Sequence, residues 1–198
     1  DRSPSRGLGD VYKRQGYGSY LIPAVMMIII FQTLLMVIGM VTGEEYSSDG
    51  IRTYAPFGHT WAAAIRIVAG KAFVYCGLYA IFSFFLLGLL PYFFSIPNIG
   101  NGLYIVLLMI PYLIATSFLG LAASRYFTDS EAPLLMIAFF SVGLIFLSGV
   151  SYPMELMPWY WKAAHYILPA APATLAFVQL NSMGASMADI RPEYITLW

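Results

Sequence analysis

The stretch KAFVYCGLYAIFSFFLLGLLPYFFSIPNIGNGLYIVLLMIPYLIATSFLGLAASR, residues 71–125, decides the fold. Between Lys71 and Arg125 it holds no Asp, Glu, Lys or Arg. About 20 apolar residues in a helix cross the ~30 Å hydrocarbon layer of a bilayer, so the run is too long for one span. Pro91, Pro97, Asn98, Gly100, Asn101 and Gly102 punctuate its middle and mark a turn. It therefore divides into a span at 72–94 and another at 103–124. Lipid offers the backbone no hydrogen-bond partner, which requires helices. A β-barrel would show alternating runs of about ten residues, and these runs are continuous.

The same reading extends outward. Residues 20–42, rich in Ile and Met with Gln32 as the strongest polar group, form an earlier span, and residues 133–150 a later one. The composition agrees: 60% of the 198 residues are hydrophobic and 10% charged, against about 25% charged in soluble domains. So few charges cannot cover a water-facing surface. The expected fold is all-α, a polytopic transmembrane bundle of four complete spans with short interfacial or re-entrant helices. Loops 43–71 and 125–131 share one side and carry Arg52, Arg66, Lys71 and Arg125, against Lys162 and Arg191 opposite. The positive-inside rule places the first side in the cytoplasm.

The two ends read differently from the middle. Residues 1–15, DRSPSRGLGDVYKRQ, hold Arg2, Arg6, Lys13 and Arg14. No small-residue cleavage site follows the adjacent apolar run, so this is no signal peptide. Its tail resembles a translated cloning adapter and is set apart from the fold, leaving 16–198 as the native domain. The last residues, 193–198, open a further span, and Pro192 and Glu193 suit a first helical turn. Both ends read as cut points in a longer protein. Beyond residue 14 six basic residues face eight acidic ones, which excludes a nucleic-acid-binding field.

Loop 43–71 is the most informative polar piece. Thr60 can cap and Gly70 can end a helix over 60–70, with Trp61, Ile65 and Val68 on one face. This is a short amphipathic helix that either rests in the interface or presses into a partner. Thr116, Gly120 and Ser124 recur every fourth residue, a spacing that lets two helices approach closely, and Pro111 is expected to kink that span. Residues 166–180 are apolar but short and contain Pro169 and Pro172, with Trp159, Tyr160, Trp161 and Tyr166 at their start. Such a run is re-entrant or interfacial, so 151–180 is read as short outer-leaflet helices.

The chain offers little catalytic chemistry. It has no GxxxxGK[ST] phosphate loop and no His/Cys cluster with metal-ligand spacing. Cys76 is the single cysteine, and His59 and His165 stand apart in different loops as ordinary interfacial histidines. No carboxylate or Lys lies inside a span, which disfavours a proton-coupled pathway. The polar groups within spans, such as Gln32, Thr33, Ser83, Ser117 and Ser141, are not paired with His or Asp. An intramembrane enzyme or a scaffold stays open as the alternative to a transporter. A secondary transporter would favour paired broken helices, and no internal repeat is visible.

Two stretches resemble a known family. RIVAGK (66–71) is similar to the loop-to-helix junction of ABC-2 type permeases. LSGVSYPMELMPW (147–159) resembles the signature after that family's fifth span, with Gly149, Pro153, Glu155, Met157 and Pro158 as the matching positions. ILP (167–169) and NSMGA (181–185) continue the likeness, which covers 16–198. The resemblance implies six spans in the whole protein, of which this chain holds the second to fifth and the first turn of the sixth. A first span and any extracytoplasmic domain would lie upstream. It further implies a subunit of a bacterial inner-membrane exporter that carries no ATPase site of its own and no cofactor. ATP and Mg would be bound by a separate ABC ATPase. A second permease half, identical or not, would complete the path, and some relatives add a periplasmic adaptor. Glu44, Glu45, Arg52, Trp61, Ile65, Arg66 and Lys71 would then form the coupling loop. The Gly-Thr pair that many relatives carry there is absent.

Overall fold

A computed structural model describes residues 17–47, 61–93, 100–127, 131–150 and 157–198. These residues form helices α1 (Tyr17–Ser47), α2 (Trp61–Phe84), α3 (Leu90–Phe93), α4 (Gly102–Ala123), α5 (Ala132–Leu147), α6 (Trp159–Ile167), α7 (Ala170–Ser182) and α8 (Arg191–Thr196). A π-helical turn, Phe85–Leu89, joins α2 to α3, and a 3-10 turn, Ser124–Tyr126, ends α4. No strand occurs among the described residues, and the fold is all-α.

Three helical segments are long and apolar enough to cross a membrane: Leu21–Glu45, Trp61–Phe93 and Gly102–Tyr126. The chain is therefore a multi-pass membrane protein. α5, at 16 residues, is about 24 Å long and falls short of that test by itself. α6 and α7 pass it together, but they are bent by 85° at their junction.

α1 is the axis of the bundle. It packs against α7, α5 and α4, and to a lesser extent against α2. Met27, Ile30, Leu34 and Ile38 are completely covered on it, and they recur at the three- and four-residue steps of one helix face. Two close approaches fix its C-terminal half. A methyl group at Gly39 would sit 2.7 Å from the Pro133 ring of α5, and one at Gly120 would sit 2.8 Å from Ile38. At mid-depth the buried Tyr112 hydroxyl donates to the Met27 carbonyl at 2.7 Å, tying α4 to α1.

The expected separate surface helix at 60–70 is not formed. α2 runs unbroken through Gly70, which among the described residues has no neighbour within 4 Å of the position its side chain would take. The flanking residues Ala62, Ala63, Ala64, Ile65, Arg66 and Ile67 are mostly good helix formers. A glycine inside a helix costs about 1 kcal/mol relative to alanine, less than breaking a ladder of hydrogen bonds at the membrane surface. The loop expected over 43–71 is likewise shorter at both ends, because α1 continues to Ser47.

Candidate coupling face and a bent helix pair

Most of the residues singled out in the sequence lie at two ends of the bundle. At the first, α1 finishes and α2 begins. Lys71 Nζ donates to Glu45 Oε2, and both groups are about a quarter exposed. This pair ties α2 to α1 where both leave the apolar layer. Beyond it, α2 is uncovered: Ala72 is its first buried residue. Trp61 is 86% exposed and Ile65 64% exposed, and Arg66 and Glu44 are also open. The segment Trp61–Phe93 has 33 residues, about 50 Å of helix against a ~30 Å hydrocarbon layer. The surplus is about the length of the uncovered stretch. Six of the expected coupling residues thus gather at one end of the bundle: Glu44 and Glu45 on α1, and Trp61, Ile65, Arg66 and Lys71 on α2. Arg52 lies outside the described residues.

Thr116, Gly120 and Ser124 are all buried. Gly120 abuts Leu35 and Ile38 of α1, so this stripe serves an approach within the chain. Ser124 Oγ donates to the Leu121 carbonyl at 2.8 Å.

At the opposite end, α5 stops at Leu147. The Ser148 amide closes the last turn on the Leu144 carbonyl at 2.9 Å, and the Ser148 hydroxyl donates to the Ile145 carbonyl at 2.7 Å. Gly149 then takes φ of 78°, a left-handed conformation that L side chains adopt at a cost of roughly 1–2 kcal/mol. Met157 is buried, and Pro158 opens α6, its carbonyl accepting from the amides of Trp161 and Lys162, both at 3.1 Å. Pro153 and Glu155 lie outside the described residues.

Sequence reasoning missed the residue that joins these parts. His165, expected at an interface, is completely buried. Its Nδ1 lies 2.8 Å from the carbonyl oxygen of Leu147. A carbonyl accepts, so Nδ1 carries the proton and donates. The last carbonyls of a helix lack intrahelical partners, and His165 supplies one for α5 from α6. This contact spans 18 residues, and no local periodicity announces it.

The chain then turns through Leu168 and Pro169 into α7, where ten residues from Ala170 to Asn181 are buried. Pro172 is tolerated because its missing amide falls in the first turn. α7 ends against the start of α4: a methyl group at Gly100 would meet the Leu180 carbonyl oxygen at 2.6 Å. α6 is therefore fastened to the C-terminal end of α5, and the far end of α7 to the N-terminal end of α4. The Pro133–Gly39 contact sets α5 antiparallel to α1, so those two helix ends share one side of the bundle. The bent pair enters and leaves on that side, which is re-entrant geometry. Trp159, Tyr160, Trp161 and Tyr166 remain exposed on α6, as suits aromatic residues at headgroup level.

No curated protein and no solved structure matches the chain. A family model described as ABC-2 family transporter protein matches residues 6–198, nearly the full length. The expected permease signature falls within that match, at the end of α5 and the start of α6. The chain belongs to the ABC-2 transporter family, whose members are the transport subunits embedded in the membrane.

Proposed function

We propose that this chain is the permease half of an ATP-driven exporter in a bacterial inner membrane, moving a lipid-like, drug-like or polymeric substrate out of the cytoplasm. One observation carries the coupling part of this reading. The first turns of α2 stand clear of the bundle, bear the exposed Trp61 and Ile65, and are tied to α1 by the Lys71–Glu45 pair. Such a stretch is a handle on a long lever. A separate ATPase subunit binds ATP and Mg, docks on this stretch together with the 48–60 connection, and pushes it as its own halves close. Because α2 is unbroken from Trp61 to Phe84, the push travels along the helix axis into the bundle. α4, packed on α2, and α1, packed on α4, tilt with it. A second permease half, identical or different, completes the path, and a periplasmic adaptor would meet the aromatic face of α6.

The test is copurification of the full-length protein with its ATPase from membranes. Trp61→Ala combined with Ile65→Asp removes two exposed side chains and leaves the buried bundle untouched. The double variant is expected to insert normally and to lose at least about 90% of the associated ATPase, as truncation of a hot-spot pair does. An intact complex would overturn the coupling role of this stretch, and absence of any ATPase from the unaltered protein would favour a non-transporting membrane protein.

A further inference from the structure

A crevice of about 560 Å³ lies between α2, with its π-helical turn, and α4. Its floor is Ser83, Leu87, Met109 and Leu113, all buried, and its rim includes the exposed Phe84 and Val106. The π turn Phe85–Leu89 borders it. Such turns are rare, occur mostly as single insertions, and are frequent at functional sites. Gly88, within the turn, leaves the mouth open: among the described residues a methyl group there would meet the Phe84 ring alone, at 3.9 Å. Gly102, on the facing wall at the same end, has nothing within 4 Å among the described residues.

Depth identifies what can reach this space. Cys76 Sγ lies 3.3 Å from Ser117 Oγ, which sets the antiparallel register of α2 on α4 and brings Ser83 level with Ile110. From Gly102 to Leu113 the α4 wall rises about 16 Å, close to half of the ~30 Å hydrocarbon layer. The crevice therefore matches one leaflet in height. No charged residue lies between Lys71 and Arg125, so occupants arrive sideways from the bilayer. The size falls within the range of small-molecule sites, about 300–1,000 Å³.

One polar group breaks the apolar lining. Ser83 is 4% exposed, and its Oγ is buried without a hydrogen-bond partner among the described residues. An unmade hydrogen bond on a buried hydroxyl is costly, and an acceptor on the occupant would relieve it. We infer that the α2–α4 crevice binds an elongated lipid chain with one mid-chain hydrogen-bond acceptor, a keto or hydroxyl oxygen, set against Ser83. This lateral site lies on the flank of the bundle, away from the coupling end.

The test uses the full-length protein in phosphatidylcholine nanodiscs, with a stearic acid bearing a terminal diazirine as the photoreactive probe. Stearate and a stearate with one mid-chain keto group compete for labelling. Labelled peptides are expected to come from α2 and α4, with the keto acid competing about fivefold better, the ratio one hydrogen bond supplies. Ser83→Ala is expected to keep labelling and erase the preference. Gly88→Leu, which fills the mouth, is expected to lower labelling by both routes. Equal competition by the two acids in the unaltered protein would leave a plain alkyl groove and overturn the acceptor, and labelling confined to other helices would overturn the site. The assay needs neither ATPase nor transport, so its failure is separable from failure of the exporter reading.

Discussion

Three residues show how local chemistry holds this protein. His165 gives the Leu147 carbonyl its partner across the α5–α6 junction. His165→Ala would leave that carbonyl buried and unpaired, at about 1–3 kcal/mol. Thermal unfolding in detergent should show the loss, and His165→Asn, which retains an N–H donor, should recover part of it. Gly149→Ala forces a side chain into the left-handed region and should cost roughly 1–2 kcal/mol, read from the same melt. In the connection before α8, Asp189 accepts from both the amide and the hydroxyl of Ser186, at 2.8 Å each. Those hydrogen bonds, the backbone one foremost, hold its carboxyl below the usual carboxylate range. The sign follows: the ionised carboxylate favours the folded turn above its unfolded pKa, and the contribution fades as pH falls through the lower folded value. Protection of the Ser186 amide from exchange should therefore persist at neutral pH and weaken as pH falls below the usual carboxylate range, while Asp189→Ala should lack it throughout. None of these roles was legible in the sequence; the family signature marks Gly149 as a position but says nothing of its backbone conformation. His165 meets a carbonyl 18 residues away, and a one-dimensional pattern holds no trace of that contact.

The helices themselves were largely legible, because lipid imposes length and excludes charge. The charge-free run 72–124 divides at its Pro/Gly/Asn cluster into α2 and α4 as its composition demands. What failed was the assumption that Gly70 ends a helix. Glycine is a good terminator where the following backbone must turn, but here Lys71 pairs with Glu45 and the ladder continues. The consequence is a continuous rod of 24 residues, Trp61–Phe84, in place of a hinged surface helix, and that difference can be measured. Gly70→Ala removes a weak point worth about 1 kcal/mol and should leave transport unchanged or slightly faster. Gly70→Pro removes a backbone hydrogen bond and clashes with the preceding turn, at about 3 kcal/mol. It should retain ATPase binding and ATP hydrolysis while transport falls severalfold or more, a split that a merely misfolded protein would not show. Equal loss of both activities would count against the rod.

At the scale of the molecule, the bent pair α6–α7 determines topology. α7 is too short to span, yet it is the most thoroughly covered of the later helices, enclosed by α1, α4, α5 and α8. In a membrane, backbone at depth survives where protein surrounds it, and α7 meets that condition through Gly100, Ala173 and Ala176, whose small size admits close neighbours. A re-entrant pair puts Trp159 and Met183 on one side of the membrane and Trp61 on the other, whereas a broken span would separate Trp159 from Met183. Single cysteines can distinguish the two in a Cys76→Ser background, which replaces the thiol beside Ser117 with another small polar group. Trp159, Met183 and Trp61 are 80%, 63% and 86% exposed, so each should react when its side is reached. An impermeant maleimide applied outside intact cells should label Trp159→Cys and Met183→Cys and spare Trp61→Cys. Ala173→Cys, completely buried, should stay unlabelled until the protein is denatured. Labelling of Met183→Cys only after the membrane is opened would make α6–α7 a crossing, and would place α8 and the arriving next span on the cytoplasmic side.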